Sequence, residues 1–436
     1  PVLIDFPKDM ATATIEVDWE DVQIRLRGYR PTVKGNTKMI RRALEEILRA
    51  QRPVLYVGGG IIRANAAPEL TYLARALGIP VTATLMGKGA FPETDALYLG
   101  VPGMHGTAYA NYALDAADLI ICIGARFDDR VTGDVSRFAP NARIVHVDVD
   151  PAEVGKVMHA DVPVVGDAKH VLVELLAELA ESGERARDLA AWHAQIAGWK
   201  AAHPLKWSTD SRSACASQCG RAERPARCGA TACTGGKGTL KPPAIISAIW
   251  TATGGKAIVA TDVGQHQMWA MQYYLVDDPH HFVSSSGLGT MGFGLPAAIG
   301  AQFGNPEHEV WCITGDGSIQ MNIQELATAV IHRLPIKIAL MDNGFLGMVR
   351  QWQKMFYDMR YSQVGLNVGT PDFVKLAEAY GAVGLRVLDD AEVPAAIAEA
   401  RRVTDRPVLI DFVCEMEDDV LPMIPAGQSV ADMILE

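Results

Sequence analysis

Residues 310–318 read Val-Trp-Cys-Ile-Thr-Gly-Asp-Gly-Ser, and this stretch decides the fold of the second half of the chain. Its unbroken apolar run is typical of a parallel strand covered on both faces, and Gly-Asp-Gly marks a sharp turn out of that strand. Asn343 follows Asp316 by 27 positions, at the end of the next apolar run. Because open parallel sheets bind ligands at the carboxyl ends of their strands, both side chains are expected to face one site.

Asp316 and Asn343 carry the hard oxygen ligands that Mg²⁺ prefers, and the backbone carbonyl of Phe345 fits the same ligand set. A helix that opens near Ser318 offers free N–H groups and a positive dipole end to a diphosphate. On its own, Gly-Asp-Gly is more often a plain turn than a metal site, so the motif alone leaves both interpretations open.

Apolar runs alternate with helical stretches through the rest of the chain. They predict strands at 54–57, 79–84, 118–124 and 143–148, then at 257–261, 309–314, 335–341 and 407–413, with helices at 323–332 and 371–379. Strands that are apolar at every position indicate parallel sheets with helices on both faces. The predicted fold class is therefore α/β, with two doubly wound parallel-sheet domains.

The composition is typical of a globular protein with sizeable cores. The 436 residues are 49% hydrophobic and 21% charged, and this length exceeds what one hydrophobic core usually serves. A net charge of -11 argues against nucleic-acid binding, and no apolar run approaches the roughly 18 to 20 residues of a membrane span. We predict a leading segment at 1–30, a central domain at 31–185, a linker at 186–239 and a last domain at 240–436.

Residues 1–7 form an apolar run that predicts a buried strand, without an initial Met or a signal-peptide pattern. The chain is therefore expected to start in the middle of a structure. For the same reason, the lack of a targeting peptide says little about the compartment. The cytoplasm is the simplest prediction, and organellar targeting stays open.

The seven cysteines fall into two groups. Cys122, Cys312 and Cys414 lie in apolar runs, where a free cysteine behaves as a small hydrophobic residue. The other four lie in an Ala-, Gly-, Arg- and Ser-rich segment, 208–239, at positions Cys215, Cys219, Cys228 and Cys233. Their spacing lacks the paired C-x₂-C of zinc sites, and Gly-Gly-Lys at 235–237 lacks the flanking residues of a phosphate loop. An inert linker is the working interpretation, and a stretch of sequence read in a wrong frame is the alternative.

Four further segments occur in order around the Gly-Asp-Gly motif. They are 263–269 (Val-Gly-Gln-His-Gln-Met-Trp), 287–292 (Gly-Leu-Gly-Thr-Met-Gly), 347–352 (Gly-Met-Val-Arg-Gln-Trp) and 421–425 (Leu-Pro-Met-Ile-Pro). Together with Gly-Asp-Gly and the distant Asn, these segments resemble the acetohydroxyacid (acetolactate) synthases, transferases that use thiamine diphosphate and Mg²⁺. The resemblance implies thiamine-diphosphate contacts from Gly264, Gln265, His266, Gly289, Met291, Asp316, Gly317, Ser318, Asn343 and Met348.

Two of these implied contacts have specific roles in the family. Met291 would press between the two rings of the cofactor and hold it bent, although a methionine beside glycines also fills cores. Met348 and Trp352, four residues apart on one helix, would border the second-substrate pocket, although that spacing is also typical of a buried helix face.

The central domain carries segments that resemble the FAD-binding part of the same family. They are 55–60 (Leu-Tyr-Val-Gly-Gly-Gly), 84–87 (Thr-Leu-Met-Gly), 102–107 (Pro-Gly-Met-His-Gly-Thr) and 124–131 (Gly-Ala-Arg-Phe-Asp-Asp-Arg-Val). A plain dinucleotide fingerprint is weak, because Arg63 stands where the third glycine belongs. The resemblance implies FAD contacts from Gly58, Gly59, Thr84, Leu85, Met104, His105, Gly124, Arg126, Asp128, Arg130, Asp148, Val149, Asp167, Gln267, Met268, Ser286 and Gly287.

Among these residues, Asp148 follows a predicted strand and would accept hydrogen bonds from the ribose hydroxyls, whereas the alternative role of each acid is helix capping. Ser286 departs from the family pattern, which has glycine there, so its hydroxymethyl group would crowd the flavin or hydrogen-bond nearby.

The resemblance implies a flavoprotein whose FAD is structural. The reaction would be the decarboxylating condensation of pyruvate with pyruvate or 2-ketobutyrate in branched-chain (isoleucine and valine) amino-acid biosynthesis. The family's glutamate on the thiamine pyrimidine lies in an amino-terminal domain, of which residues 1–30 would be a remnant with Lys8 near the substrate entrance. We therefore assign no catalytic base in this chain and expect the chain alone to be inactive.

The family forms homodimers or tetramers and can bind a small regulatory subunit. A pyruvate oxidase or glyoxylate carboligase type of enzyme, or a noncatalytic cofactor-binding fragment, remains the alternative.

Overall fold

A computed structural model describes residues 3–19, 32–183, 187–207, 240–366 and 369–435. Within these ranges the chain forms two α/β domains, each built on an all-parallel sheet. Of the predicted linker 186–239, the segment 208–239 with its four cysteines lies outside the described residues, as do residues 1–2 and 20–30 of the leading segment. Residues Ala190–Ala202 of that predicted linker instead form a helix, and its Trp192 and Ile196 are buried in the core of the first domain.

The first domain has a five-stranded sheet in the order β2-β1-β3-β4-β5. Its strands are β1 (Pro53–Val57), β2 (Val81–Ala83), β3 (Leu119–Ile123), β4 (Arg143–Asp148) and β5 (Val162–Val165). A short helix, α1 (Lys8–Thr12), precedes this domain. The helices of the domain are α2 (Thr37–Arg49), α3 (Gly59–Arg63), α4 (Ala67–Leu77), α5 (Ala108–Ala116), α6 (Asp129–Thr132), α7 (Ala168–Ser182) and α8 (Ala190–Ala202), with a 3₁₀ turn at Leu85–Gly87.

The second domain has a six-stranded sheet in the order β10-β11-β9-β8-β6-β7. Its strands are β6 (Ile258–Thr261), β7 (Phe282–Ser284), β8 (Val310–Gly315), β9 (Lys337–Asp342), β10 (Val383–Val387) and β11 (Val408–Val413). Its helices are α9 (Pro242–Thr253), α10 (Gln265–Tyr273), α11 (Gly294–Gly304), α12 (Asp316–Ile319), α13 (Leu326–Ile331), α14 (Gly347–Phe356), α15 (Phe373–Tyr380) and α16 (Val393–Arg402), with 3₁₀ turns at Ile323–Glu325, Asp390–Glu392 and Val430–Asp432.

The central strands are buried along their whole length, as the apolar runs predicted. Helices cover both faces, and α2 begins where the Asn36 side chain accepts hydrogen bonds from the Lys38 and Met39 backbone N–H groups. Burying full-length apolar strands removes both faces from water, which is the main stabilising contribution to such a sheet. The sequence prediction of two parallel-sheet α/β domains is confirmed.

Three strands were missed by the sequence patterns, and all of them lie at or beside a sheet edge. The strands β5, β7 and β10 are the outermost strands of their sheets, and none of them is fully buried. An edge strand is covered on fewer sides and needs fewer apolar residues, so a search for continuous apolar runs does not find it. The predicted helix at 323–332 is also shorter than expected, because its first turn is 3₁₀ and only Leu326–Ile331 is α-helical.

The prediction of a buried strand at residues 1–7 is wrong for the residues that are described there. Residues 3–7 have no strand pairing, and the side chains of Leu3, Ile4 and Phe6 are exposed. A strand requires backbone partners on a neighbouring strand, and none of the described strands pairs with this segment. The cysteine prediction is confirmed, since Cys122, Cys312 and Cys414 are buried free thiols.

The two domains contact each other directly. Past the last strand, the chain returns to the first domain, where the Ile424 N–H donates to the Met104 carbonyl at 2.8 Å. Arg137 of the first domain pairs with Asp432 at 2.6 Å. Over the described ranges, no helix is long and apolar enough to cross a membrane.

Candidate functional site

A single cleft of about 1160 Å³ is lined by residues of both domains. Its walls come from the segments that follow the carboxyl ends of the strands: 59–60 after β1, 84–86 after β2, 124–126 after β3 and 148–150 after β4 in the first domain, and 263–268 after β6, 315–318 after β8 and Asn343 after β9 in the second. Residues at the carboxyl ends of both sheets therefore line one cleft, and the carboxyl ends of the strands are where open parallel sheets bind ligands.

Asp316 is buried at the start of α12, directly after β8. Its carboxylate accepts hydrogen bonds from the backbone N–H groups of Gly317 at 2.9 Å and Gly344 at 2.8 Å, so β8 and the turn after β9 share this side chain. Burial and the neighbouring Asp342 carboxylate raise the pKa of Asp316 well above its ordinary value. A divalent cation at this position would relieve both penalties, so the carboxylate fits the predicted metal.

Asn343 and Phe345 lie beside this carboxylate in the turn between β9 and α14. The Asn343 side chain accepts from the Phe345 N–H at 3.1 Å and donates to Gln265 Oε1 at 3.4 Å. No group of three or more His, Cys, Asp or Glu side chains able to hold a metal occurs in the part of the chain that the structure describes. The oxygen donors that the structure brings together here are the Asp316 carboxylate and the Asn343 amide, which suit Mg²⁺ shared with a phosphate better than zinc.

His266 lies in the cleft wall at the beginning of α10. Burial lowers the pKa of its ring to about 4, so it is neutral near pH 7, and its Nε2 has no hydrogen-bond partner in the protein. Gly264 before it has φ 154°, and a Cβ there would come within 2.8 Å of the His266 ring. A buried nitrogen without a protein partner is expected where a ligand provides the partner.

Met291 lies in the cleft, on the turn before α11. This turn is held by Asp262, a residue that the sequence patterns did not reveal. The buried Asp262 carboxylate accepts from the N–H groups of Val263 at 2.9 Å, Gly292 at 2.8 Å and Gly294 at 3.3 Å. The Met291 Cε lies 3.7 Å from the position that a Cβ on Gly317 would occupy. Asp262 follows β6 as Asp316 follows β8, and this parallel is the pattern that could have revealed it.

Helix α14 brings Met348 and Trp352, the two residues that the resemblance implied at the second-substrate pocket, to the same cleft. The helix is held from behind by Gln351, a second residue that sequence reasoning missed. Its fully buried amide accepts from Gln265 Nε2 at 2.9 Å and the Val420 N–H at 2.8 Å, and donates to the Val420 carbonyl at 3.0 Å. Ser318 also lines the cleft, and its hydroxyl donates to the Val263 carbonyl at 3.0 Å.

On the first-domain side, the structure brings together most of the residues implied as FAD contacts. The cleft is lined by Gly59, Thr84, Leu85, Met104, His105, Gly124, Arg126, Asp128, Arg130, Asp148, Val149 and Asp167. Gly58 is not among the lining residues, because it packs against β3: a Cβ there would lie 2.3 Å from the Gly124 carbonyl oxygen. The close approach of these two backbone segments therefore requires a glycine at position 58.

The segment after β3 presents two charged groups to the cleft. Phe127 adopts φ 55° and turns its ring into the core against Tyr56, and its neighbours Arg126 and Asp128 form an ion pair at 2.8 Å. Burial lowers the pKa of nearby His105 to about 4, and its Nδ1 has no partner in the protein. This second orphaned nitrogen supports a ligand in this half of the cleft.

The two carboxylates implied at the adenosine end are both already engaged with backbone groups. Asp148 accepts from the Asp150 N–H at 2.9 Å. Asp167 caps α7, since its side chain accepts from the N–H groups of Lys169 at 3.0 Å and His170 at 3.2 Å. Capping is therefore an observed role of Asp167, beside any role toward a ligand.

Where the two halves meet, the cleft is lined by Gln267, Met268, Ser286, Gly287 and Gly289. Gln267 donates to Ser284 Oγ at 2.7 Å, and the Ser286 Oγ is buried without a protein partner. Lys8 does not line the cleft, because it lies on the exposed helix α1. Glu153, on the first-domain side, is the one glutamate among the described residues that line the cleft.

Comparison with known proteins gives two matching family models. Residues 262–412 match the thiamine pyrophosphate enzyme C-terminal TPP binding domain, and residues 40–175 match the thiamine pyrophosphate enzyme central domain. Over 98% of its length the chain is 46% identical to an acetolactate synthase of Mycobacterium leprae, of which it covers 65%. It is 46% identical to an acetolactate synthase large subunit of Corynebacterium glutamicum, over 99% of the chain and 66% of that relative. It is 42% identical to the acetolactate synthase large subunit of Haemophilus influenzae, over 100% of the chain and 72% of that relative. The chain thus spans about two thirds of the length of these relatives.

Proposed function

The chain belongs to the acetolactate synthase family of thiamine pyrophosphate enzymes, and on that premise we propose that it provides the thiamine-diphosphate and FAD halves of an acetolactate synthase. The reaction is the decarboxylating condensation of pyruvate with pyruvate or 2-ketobutyrate, in isoleucine and valine biosynthesis. The observation that carries the proposal is the single cleft, which joins the residues of the Gly-Asp-Gly site to the residues of the flavin-like segments.

Bound thiamine diphosphate would provide a nucleophilic carbon that adds to the keto group of the first substrate. The chain's own residues bind and shape this cofactor. Asp316, Asn343 and the Phe345 carbonyl would hold Mg²⁺, and the neutral His266 would donate a hydrogen bond to a diphosphate oxygen. Met291, whose turn Asp262 holds, would support the rings of the cofactor, and a rigid support of this kind positions reacting groups before the reaction.

The second keto acid is proposed to enter beside Met348 and Trp352. Both side chains are apolar and border the cleft on α14. An apolar border excludes water, which would otherwise protonate the reacting carbon before the second substrate arrives. This selectivity for a keto acid over a proton separates the proposed synthase from a simple decarboxylase.

The first-domain half is proposed to bind FAD without any net redox step. Arg126 and Arg130 provide charge at the cleft, and His105 and Ser286 each contribute a buried polar atom that has no partner in the protein. These unpaired atoms favour a polar ligand at this place. Ser286 would narrow the pocket at the flavin, so we propose noncovalent and weak binding.

Two parts of the proposed enzyme are not provided by the described residues. No glutamate among them lines the second-domain half of the cleft, so the base for the pyrimidine is proposed to come from elsewhere in the assembly. The Corynebacterium and Haemophilus relatives are named large subunits, and we propose that this chain likewise forms dimers or tetramers and pairs with a small subunit. Cytoplasmic location stays a prediction.

A noncatalytic cofactor-binding fragment is the second candidate function. It is favoured by the same observation, that no glutamate among the described residues lines the thiamine half of the cleft. A fragment of this kind binds both cofactors but turns over no pyruvate, so cofactor binding and activity must be measured separately. A pyruvate oxidase or glyoxylate carboligase type is not favoured by the family relationship.

The metal site is tested by Asp316→Ala. We expect the variant to lose Mg²⁺-dependent binding of thiamine diphosphate in isothermal titration calorimetry, because it removes the carboxylate and leaves only neutral oxygens. Asp405→Ala, an exposed aspartate far along the chain, is the matched control and should bind as the unchanged protein does. Equal affinity in a folded Asp316→Ala protein would mean that Gly-Asp-Gly is only a turn.

The flavin half is tested by titrating FAD into the purified protein and following absorbance and flavin fluorescence. We expect weak, reversible binding, and a severalfold higher affinity for Ser286→Gly because the hydroxymethyl group is removed. If saturating FAD gives no signal with either protein, the FAD assignment is wrong.

A further inference from the structure

A buried ion pair joins the two domains close to the cleft. Lys88 Nζ lies 2.6 Å from Glu93 Oε2, and the two side chains are 1% and 0% exposed. Lys88 also donates to the carbonyl of Met271, in the last turn of α10, at 3.1 Å. Glu93 accepts from the Val276 N–H at 3.0 Å and from the Tyr98 hydroxyl at 2.9 Å. Both charges thus have partners in the first and in the second domain.

Such a pair sets geometry more than it adds stability. Removing two charges from water costs several kcal/mol each, and their attraction roughly repays this only when further hydrogen bonds satisfy the groups. Here two of these hydrogen bonds cross between the domains, so they form only in the observed arrangement of the two domains. A shift of one domain would leave Lys88 and Glu93 buried with incomplete partners, which penalises every other arrangement.

The pair also lies next to both walls of the cleft. The segment Thr84–Met86, which lines the first-domain half, ends two residues before Lys88. Helix α10 runs from Gln265 in the second-domain half to Met271, which Lys88 contacts. At Gly89 (φ 79°) a Cβ would lie 2.4 Å from the Asp278 carbonyl oxygen, so the two backbones touch beside the pair.

We propose that Lys88 and Glu93 are positioning residues that fix the first-domain wall of the cleft against α10, so that ligands in the two halves of the cleft bind cooperatively. The identity of the two ligands, FAD and Mg²⁺–thiamine diphosphate, rests on the proposed function. The locking of the two walls does not require any cofactor, and it is tested without one.

The first experiment is differential scanning calorimetry of the full chain without cofactors. The unchanged protein should unfold in one transition, because the pair couples the domains. Lys88→Met should lower the transition temperature, since it strands the buried Glu93 carboxylate. The neutral double variant Lys88→Met/Glu93→Gln should recover most of that temperature but unfold in two transitions. The exposed pair Arg75–Asp95 provides the control, and Arg75→Met should keep one transition.

The second experiment measures the Kd of thiamine diphosphate with Mg²⁺, with and without saturating FAD. Coupled sites commonly change each other's affinity by about 5-fold or more, and we expect such a ratio for the unchanged protein and for Arg75→Met. In the double variant the ratio should fall to about one, although each cofactor still binds. An unchanged ratio together with a single transition in the double variant would overturn the proposal. If the unchanged protein binds no FAD, the proposed function fails and calorimetry alone decides the role of the pair.

Discussion

At the scale of single residues, two aspartates at equivalent places in the sheet have different tasks. Asp262 and Asp316 each follow a central strand and each is buried. Three backbone N–H groups donate to the Asp262 carboxylate, so this carboxylate serves to hold the turn that carries Met291. Asp316 receives two N–H groups and lies against the Asp342 carboxylate, so negative charge remains for a cation.

A pH-dependent stability follows from His105. Burial lowers the pKa of its ring to about 4, below the value of about 6.5 in an unfolded chain. As the pH falls through 6.5, the unfolded chain takes up the proton first, so the stability that His105 contributes above pH 6.5 is lost between pH 6.5 and 4. At pH 4.5 this loss is about 2.5 kcal/mol. Urea unfolding of the cofactor-free protein at pH 7.5 and pH 4.5 gives the total loss, to which the buried His266, with its pKa likewise lowered to about 4, also contributes.

His105→Gln should reduce that difference by about the same 2.5 kcal/mol, because glutamine does not titrate in this range. His159→Gln changes an exposed histidine and is the matched control, with the full pH dependence retained. Equal slopes for all three proteins would show that His105 is not held neutral by burial.

The functional residues that could be predicted from the sequence are those that belong to a motif recognisable from neighbouring residues. Asp316 and Asn343 follow apolar runs in a recognisable motif, and the structure brings them to one cleft. Asp262 also follows an apolar strand, but its role in holding the turn depends on a contact 30 positions away. The role of Gln351 could not be predicted, because it depends on a contact with a residue 69 positions away. Gly58 was implied as a FAD contact by the family resemblance, and the structure adds a packing reason for its glycine, since the backbone just after β3 lies against it.

At the scale of elements, α14 depends on the segment 418–421. Gln351 lies on the helix and completes the hydrogen bonds of Val420 N–H and C=O, and Arg350 donates to the Asp418 carbonyl at 2.6 Å and pairs with Asp419 at 2.7 Å. This attachment fixes the helix face that carries Met348 and Trp352. The pocket border is therefore positioned from behind the helix, by residues that do not line the cleft.

We expect Gln351→Leu to destabilise the protein by about 3 kcal/mol, because it leaves the buried N–H and C=O of Val420 without partners. The denaturation midpoint in urea measures the loss. Gln353→Leu, two residues along the same helix and close to the surface, should cost less than about 1 kcal/mol. A Gln351→Leu protein as stable as the Gln353→Leu protein would mean that α14 is held by its apolar contacts alone.

The strands show why the element prediction was only partly successful. Interior strands are covered on both faces, so an unbroken apolar run identifies them, as in β1, β3, β8 and β9. Edge strands such as β10 expose polar residues, and Arg386 there pairs with Asp372 and Asp411 across the sheet edge. Such pairing is a tertiary property, which no local pattern of hydrophobicity contains.

At the scale of the whole molecule, the two sheets present the carboxyl ends of their strands to one cleft. Each domain alone would offer an open edge with half of the lining residues. The interdomain contacts of Lys88, Met104 and Arg137 turn these two edges into a shared cavity. The number of domains and their sheet type could be predicted from the sequence, but this mutual orientation rests on contacts between distant segments.

The last prediction concerns activity, and it follows from which groups line the cleft. Thiamine chemistry needs a positioned carboxylate on the pyrimidine, and among the described residues the thiamine half has Asp316 but no glutamate. Asp316 is engaged at the proposed metal. Loss of a positioned acid-base group typically costs about 10² to 10⁴ in rate. We therefore expect the purified 436-residue chain alone to form no measurable acetolactate from pyruvate in a colorimetric acetoin assay.

A separate polypeptide that covers the part of the Corynebacterium glutamicum relative not spanned by this chain should restore a detectable rate. The same polypeptide with its glutamates changed to glutamine is the matched control, and it should restore none, because the carboxylate is the missing group and a glutamine cannot accept the proton. Restoration would also require Asp316, so adding the polypeptide to the Asp316→Ala protein should give no product. Robust acetolactate formation by the purified chain alone would instead show that the base lies among the chain's own residues. A residue outside the cleft lining described above would then have to reach the cofactor.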